Sequence, residues 1–265
     1  MGELSSDEVG IQMILNDEPT WPKELVRYLE QNHDLFLGWE LCSANGNTSG
    51  DARAAALKYD DAIYGLRAVL DPYVLRGYHC TRLTYSEIGH IVANGMQLPN
   101  FSVLSDRIQK AHEAGLIDRQ AADRLRAENL ASKGSRAGMI GFCFYPPHFA
   151  GQGAVERLFR SWGGEALYCL HERDPITGPV LKSLGVPCLV EADVPIATLA
   201  KHSFPEIHIY RQFLMNRGLK TVECVHHESP SVQPVPARNV RRIIRFPEED
   251  FIAFTQCDSW TPPLA

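Results

Sequence analysis

A chain of 265 residues with 45% hydrophobic and 22% charged side chains has the composition of a globular protein with room for a full core, which excludes a disordered or collagen-like chain. Its formal charge of −6 is uneven: residues 1–70 hold 12 acidic against 5 basic side chains, and the remainder is close to balance. That distribution argues against sequence-independent DNA binding through bulk charge, and leaves Arg238, Arg241, Arg242 and Arg245 as either a local nucleic-acid contact or a charged, protected edge strand.

No apolar run reaches the roughly 18–20 residues of a membrane helix, and the start Gly2-Glu3-Leu4-Ser5-Ser6-Asp7-Glu8 is unlike a basic-then-apolar leader, so a cytoplasmic protein with no membrane partner is expected. The seven cysteines lie far apart with no C-x2-C pair, so reduced thiols and no structural metal are expected.

In chain order, Thr20 and Pro22 predict a helix entry, with Leu25, Tyr28 and Leu29 at helical spacing over about 21–33. The small polar stretch from Cys42 to Gly50 reads as a loop, and Asp51 as the cap of a helix through Leu57, Ile63, Leu66 and Val69 that Pro72 ends. Residues 1–70 thus form an acidic helical extension, suited to pack on the domain after it, occlude a groove or recruit a partner.

From Val74 to Arg82 the pattern is that of a strand, and Thr84-Tyr85-Ser86-Glu87 is a capping box opening a helix that stops at Gly95. Residues 102–131 predict two charged helices broken near Gly115. Strands are expected over Ile140–Tyr145, Ala166–His171, Cys188–Ala192, Ile207–Tyr210, Lys220–Val225 and Val240–Phe246, with a short helix before Trp162 and another between Val194 and Lys201. Many short strands with few crossover helices predict an α+β domain over 71–265, built on two small packed sheets rather than a doubly wound nucleotide fold.

The sequence has no G-x-G-x-x-G, P-loop, G-x-S-x-G or H-E-x-x-H motif. What remains is Tyr78-His79-Cys80-Thr81-Arg82-Leu83 at a strand end, followed by a short helix closing on Asn94-Gly95-Met96. This segment resembles the first strand and helix of ADP-ribosyltransferase domains, in particular the toxin-like ones that modify nucleic acids. Gly141-Phe142-Cys143-Phe144-Tyr145 resembles their second block, and Cys188–Pro195 a middle strand. Lys220-Thr221-Val222-Glu223, then Pro234-Val235-Pro236 and Val240–Ile244, resembles their closing order of glutamate strand, proline turn and last strand.

The resemblance covers about residues 74–246. It implies an enzyme that consumes NAD, releases nicotinamide and transfers ADP-ribose to RNA or DNA, or less closely to protein, as a toxin or defence enzyme with an antitoxin or regulatory protein as a further partner.

Breaking the nicotinamide–ribose bond creates an oxocarbenium-like sugar, so the protein must hold the dinucleotide and place negative charge beside the reacting carbon. His79 and Thr81 suit the ribose and carboxamide, Tyr145 or Trp162 the nicotinamide ring, and Arg82 or Arg160 the pyrophosphate. Glu223 is the first candidate for the catalytic carboxylate, ahead of Glu165 and Glu191. His79 also has a structural reading, and Tyr145 and Trp162 a reading as buried anchors. His226-His227-Glu228 reads as a wet loop.

Other functions compatible with these residues are NAD hydrolysis, transfer of an RNA 2′-phosphate with Arg82 and Arg211 as the bases, and an inert binding module.

Overall fold

The computed structural model describes residues 12–45, 51–133, 137–223 and 226–264. In chain order these form β1 (Gln12–Met13), α1 (Lys23–Gln31), α2 (His33–Asn45), α3 (Asp51–Leu70), β2 (Val74–Leu83), α4 (Tyr85–Asn94), α5 (Phe101–Glu113) and α6 (Arg119–Ala127). There follow β3 (Ile140–Cys143), α7 (Gln152–Arg160), α8 (Glu165–His171), α9 (Thr177–Ser183), β4 (Val186–Pro195), α10 (Pro205–Asn216), β5 (Glu228–Ser231), β6 (Val240–Arg245) and α11 (Glu249–Thr255). The fold is a mixed α+β one, and among the described residues no helix is long and apolar enough to cross a membrane.

The chain divides into two compact units, residues 1–76 with 194–227 and residues 77–193 with 228–265. Residues 194–227 share a compact unit with the N-terminal helices.

In the first unit, α1, α2 and α10 each pack on α3. Leu25 and Leu29 of α1, Leu66 and Leu70 of α3, and Ile209, Phe213 and Leu214 of α10 are buried. Thr20 does not cap α1. Its hydroxyl donates to Asp17 O and accepts from Ile14 N, and Pro22 stands at the helix entry. The loop expected from Cys42 is helical through Asn45, as the end of α2, whose Phe36 stacks on Tyr210 at 4.7 Å; residues 46–50 and the Asp51 side chain lie outside the described residues.

The strand expected at Ile207–Tyr210 is part of α10. Its apolar residues extend past Tyr210 to Phe213 and Leu214 at helical spacing, and Pro205 supplies a first-turn residue that needs no donor. Residues 220–223 lie in no strand, and 224–225 lie outside the described residues.

The strands run in the order β5-β3-β2-β4-β6, and within the first unit β1 pairs in parallel with Val74 and Leu75 at the start of β2. This single sheet replaces the two expected. The physical reason is that 166–171 and 207–210 are helical, which leaves no strands for a second layer among the described residues. β3 is antiparallel to β2 and to β5, and β6 to β4.

Among the described residues, two apolar clusters lie in the second unit. Tyr78, Cys80, Cys143, Leu189 and Ile244 from the sheet pack with Phe159 of α7 and Phe251 of α11. Fully burying a ring such as Phe159 stabilises by about 2–3 kcal/mol. Leu104, Ile108, Leu125, Trp162, Leu167 and Leu181 join α5, α6, α8 and α9 in the other cluster.

At the edge, Arg241, Arg242 and Arg245 of β6 are paired with Asp193, with Glu191 and Asp250, and with Glu248. Three of the four arginines considered for nucleic-acid contact are thereby neutralised.

Candidate active site

The site begins where β2 ends. Alternation along the strand puts Tyr78, Cys80 and Arg82 into the interior and leaves His79 and Thr81 half-buried on the other face. The capping box then turns the chain into α4: Glu87 N donates to Thr84 Oγ1 at 3.3 Å, and Thr84 N donates to Glu87 Oε2 at 2.7 Å.

β2 and β3 pair at Tyr78 and Cys143, and the His79 ring bridges the same two strands through Nδ1 to Gly141 O at 2.8 Å. A carbonyl only accepts, so Nδ1 carries the proton. Burial pushes the pKa of the imidazole down, against the pull of that hydrogen bond, and the charge of Arg107 acts in the same sense as burial. At neutral pH the ring is therefore uncharged, with Nε2 as an acceptor.

β5 adds a carboxylate. Glu228 pairs with Cys143 of β3, which pairs with Tyr78, so Glu228 lies two strands from β2 at the level of His79 but on the sheet face of Tyr78 and Cys143, while Ser229 shares the face of His79 and Phe142. Met96 and Val235 exchange two backbone hydrogen bonds of 2.8 and 2.9 Å, tying the proline turn after β5 to the end of α4.

These elements enclose a cavity of about 940 Å3, within the usual range for a ligand site. His79 and Thr81 of β2, Glu87 and His90 of α4, Arg107 and Lys110 of α5, Glu165 and Tyr168 of α8, and Glu228 and Ser229 of β5 all line it. Glu87 ties three walls together, because it also accepts from Arg107 Nε at 2.5 Å and from Trp162 Nε1 at 2.9 Å. Burial alone would raise the Glu87 pKa. The Arg107 charge and the hydrogen bonds from Thr84, Trp162 and Arg107 outweigh it and hold the carboxyl below its usual range.

Of the residues expected from the sequence, the cavity brings together His79, Thr81, Trp162 and Glu165. Trp162 is fully buried, with its N–H used by Glu87. Tyr145 is buried against Phe149 and is not in the lining. Arg82 is buried and donates to the carbonyls of Leu184 and Phe159, while Arg160 is bound to Glu156 and to the carbonyls of Pro262 and Pro263. Glu191 is buried against Arg242. Glu223 belongs to the first unit, where its 68% exposed side chain pairs with Arg211.

Glu228, Glu87 and Arg107 are residues that the sequence reading passed over. Glu228 carries a signal: it stands nearer than Glu223 to Pro234-Val235-Pro236, in the order glutamate, proline turn, last strand. Its strand, Glu-Ser-Pro-Ser, lacks β-branched residues and so does not read as one.

Among the described residues, no group of three His, Cys, Asp or Glu side chains is placed to hold a metal ion. Compared with known protein families, curated proteins and solved structures, the chain matches none.

Proposed function

We propose that this protein is an NAD-dependent ADP-ribosyltransferase acting in the cytoplasm, with the cavity between β2, β5, α4, α5 and α8 as its dinucleotide site. The observation that carries the reading is the shared lining: His79 and Thr81 from the end of β2 and Glu228 from the start of β5 border one cavity. Glu228 also opens the strand that leads through Pro234-Val235-Pro236 to β6, the closing order that the resemblance requires. Glu228 thus takes the role expected of Glu223.

In this reading the neutral His79 accepts a hydrogen bond from a ribose hydroxyl at Nε2, and the Thr81 hydroxyl holds the sugar or the carboxamide. Glu228 binds the 2′-hydroxyl and stabilises positive charge on the anomeric carbon as the glycosidic bond breaks. The bonding pair leaves with nicotinamide, which departs neutral. An acceptor oxygen or nitrogen then bonds to the anomeric carbon and gives up its proton to solvent water.

The acceptor is RNA or DNA ahead of protein, following the resemblance. A 2′-phosphotransferase is disfavoured, since Arg82 is spent on backbone carbonyls and Arg211 on Glu40 and Glu223.

The test is incubation of the full chain with adenylate-labelled NAD and RNA, DNA or protein in turn. Nicotinamide release with label on one acceptor supports transfer, and release with free ADP-ribose alone changes it to hydrolysis. NAD binding without release supports an inert module. Absence of both binding and release rejects the proposal.

A further inference from the structure

We infer that Arg107 and Lys110, one turn apart on α5, form a subsite for a phosphate ester in the cavity. The inference rests on the proposed nucleotide reading and adds to it the side chains that would grip the anion. Among the described residues, these two are the only arginine and lysine in the cavity lining.

Arg107 is held through Nε alone, which leaves Nη2 of its guanidinium without an acceptor. Only Nε donates to Glu87, at Oε1, while Glu87 Oε2 accepts from Thr84 and Trp162, so the two-bond pairing typical of arginine and carboxylate is not made. The guanidinium lies over Trp162 at 4.9 Å from the ring centre, which fixes its plane. Nη2 is buried with no hydrogen-bond acceptor. A buried donor without an acceptor is costly, and an anion that displaces the wall slightly would satisfy it.

Lys110, exposed and on the same wall, has no ion pair with a described residue and adds a mobile second charge. Glu87 and Asp106 line the same wall. Recognition there therefore depends on the unsatisfied guanidinium donor rather than on a field of net positive charge. The arginines first considered for pyrophosphate, Arg82 and Arg160, are both committed within the fold.

Two sources share this chemistry, the pyrophosphate of a dinucleotide and the phosphodiester of an acceptor strand. The experiment is calorimetry on the full chain with ADP-ribose, with a short single-stranded RNA, and with adenosine as the phosphate-free control. Arg107→Gln is expected to weaken one of the phosphate ligands by about tenfold or more, and Lys110→Gln by about threefold, while adenosine affinity stays within about twofold. The ligand that weakens identifies the source.

Arg107 also props Trp162, so Lys110→Gln, which removes an exposed side chain, serves as the variant that keeps the fold. Unchanged affinity for both phosphate ligands in both variants, or an equal loss for adenosine, overturns the subsite. If nicotinamide is never released but phosphate binding depends on Arg107, the subsite stands and the transferase reading falls. If release in Arg107→Gln keeps the wild-type KM for NAD and RNA binding is unaltered, the subsite falls and the transferase reading stands.

Discussion

The indole N–H of Trp162 donates to Glu87 Oε2 at 2.9 Å, joining residues 75 positions apart in the chain. Glu87 closes a capping box, so the side chain that starts α4 also holds the aromatic floor of the cavity and one edge of Arg107. Glu87→Gln is expected to destabilise the fold by about 2 kcal/mol at pH 7, because a charged acceptor of several hydrogen bonds is lost. The folded pKa of Glu87 lies below its ordinary value of 4.5, so its contribution is full above that pH and is lost as pH falls through the folded value. Urea titrations should show the gap between wild type and variant narrowing below about pH 4; a gap that widens there would contradict the assignment.

The two glutamates separate cleanly in a kinetic test. Glu228→Gln is expected to lower the rate of nicotinamide release by about a thousandfold with NAD affinity nearly unchanged, since charge is lost at constant shape. Glu223→Gln breaks only an exposed pair with Arg211, so activity should persist and stability change by less than about 1 kcal/mol. Full single-turnover activity in Glu228→Gln would reject its catalytic role, and Glu165 would be the next carboxylate to replace.

Gly95 ends α4 at φ +80°, and a Cβ there would lie 2.1 Å from Val235 O. That oxygen accepts from Met96 N, so the backbone on both sides is held and has little room to yield. Gly95→Ala is expected to cost at least about 2 kcal/mol in thermal or urea unfolding and to displace the turn that follows β5. Wild-type stability would show that the two segments are free to separate.

In the first unit the rings of His208 and His227 lie 4.4 Å apart. Burial lowers the pKa of His208 to about 4 and of His227 to about 3, with Arg211 and His226 adding to the shift of the former and His208 and His226 to that of the latter. The unfolded chain takes up these protons near pH 6.5 and the folded one does not, so stability falls as pH drops from about 6.5 towards 4. The slope approaches 1.4 kcal/mol per unit for each histidine, to order of magnitude. Hydrogen exchange of the α10 amides should report this loss between pH 7 and 5, and His208→Leu should flatten it. An unaltered pH dependence in that variant would place the acid sensitivity elsewhere.

Much of the local structure was legible because its signals are short-range. Thr84 and Glu87 announce α4 within four residues, and Gly115 marks the break between α5 and α6 with φ +69°. The expected strands at 166–171 and 207–210 failed for one reason: each was read over a few apolar residues, while the burial of Leu167, Tyr168 and His171, and of Ile209, Tyr210 and Phe213, follows helical spacing. Arg82 looked available in a strand next to His79, but strand alternation turns it inward to the carbonyls of Leu184 and Phe159.

By itself the sequence determined the end of β2, the turn into α4 and the pairing of a histidine with a threonine two residues on, because these depend on neighbours along the chain. Only the tertiary structure decided which carboxylate and which arginine share their cavity. Glu228 borders that cavity from the first position of the terminal strand β5, and Arg107 is held there by its hydrogen bond to Glu87. Such choices depend on strand pairing and burial between distant segments, so the spacing of residues along the chain does not encode them.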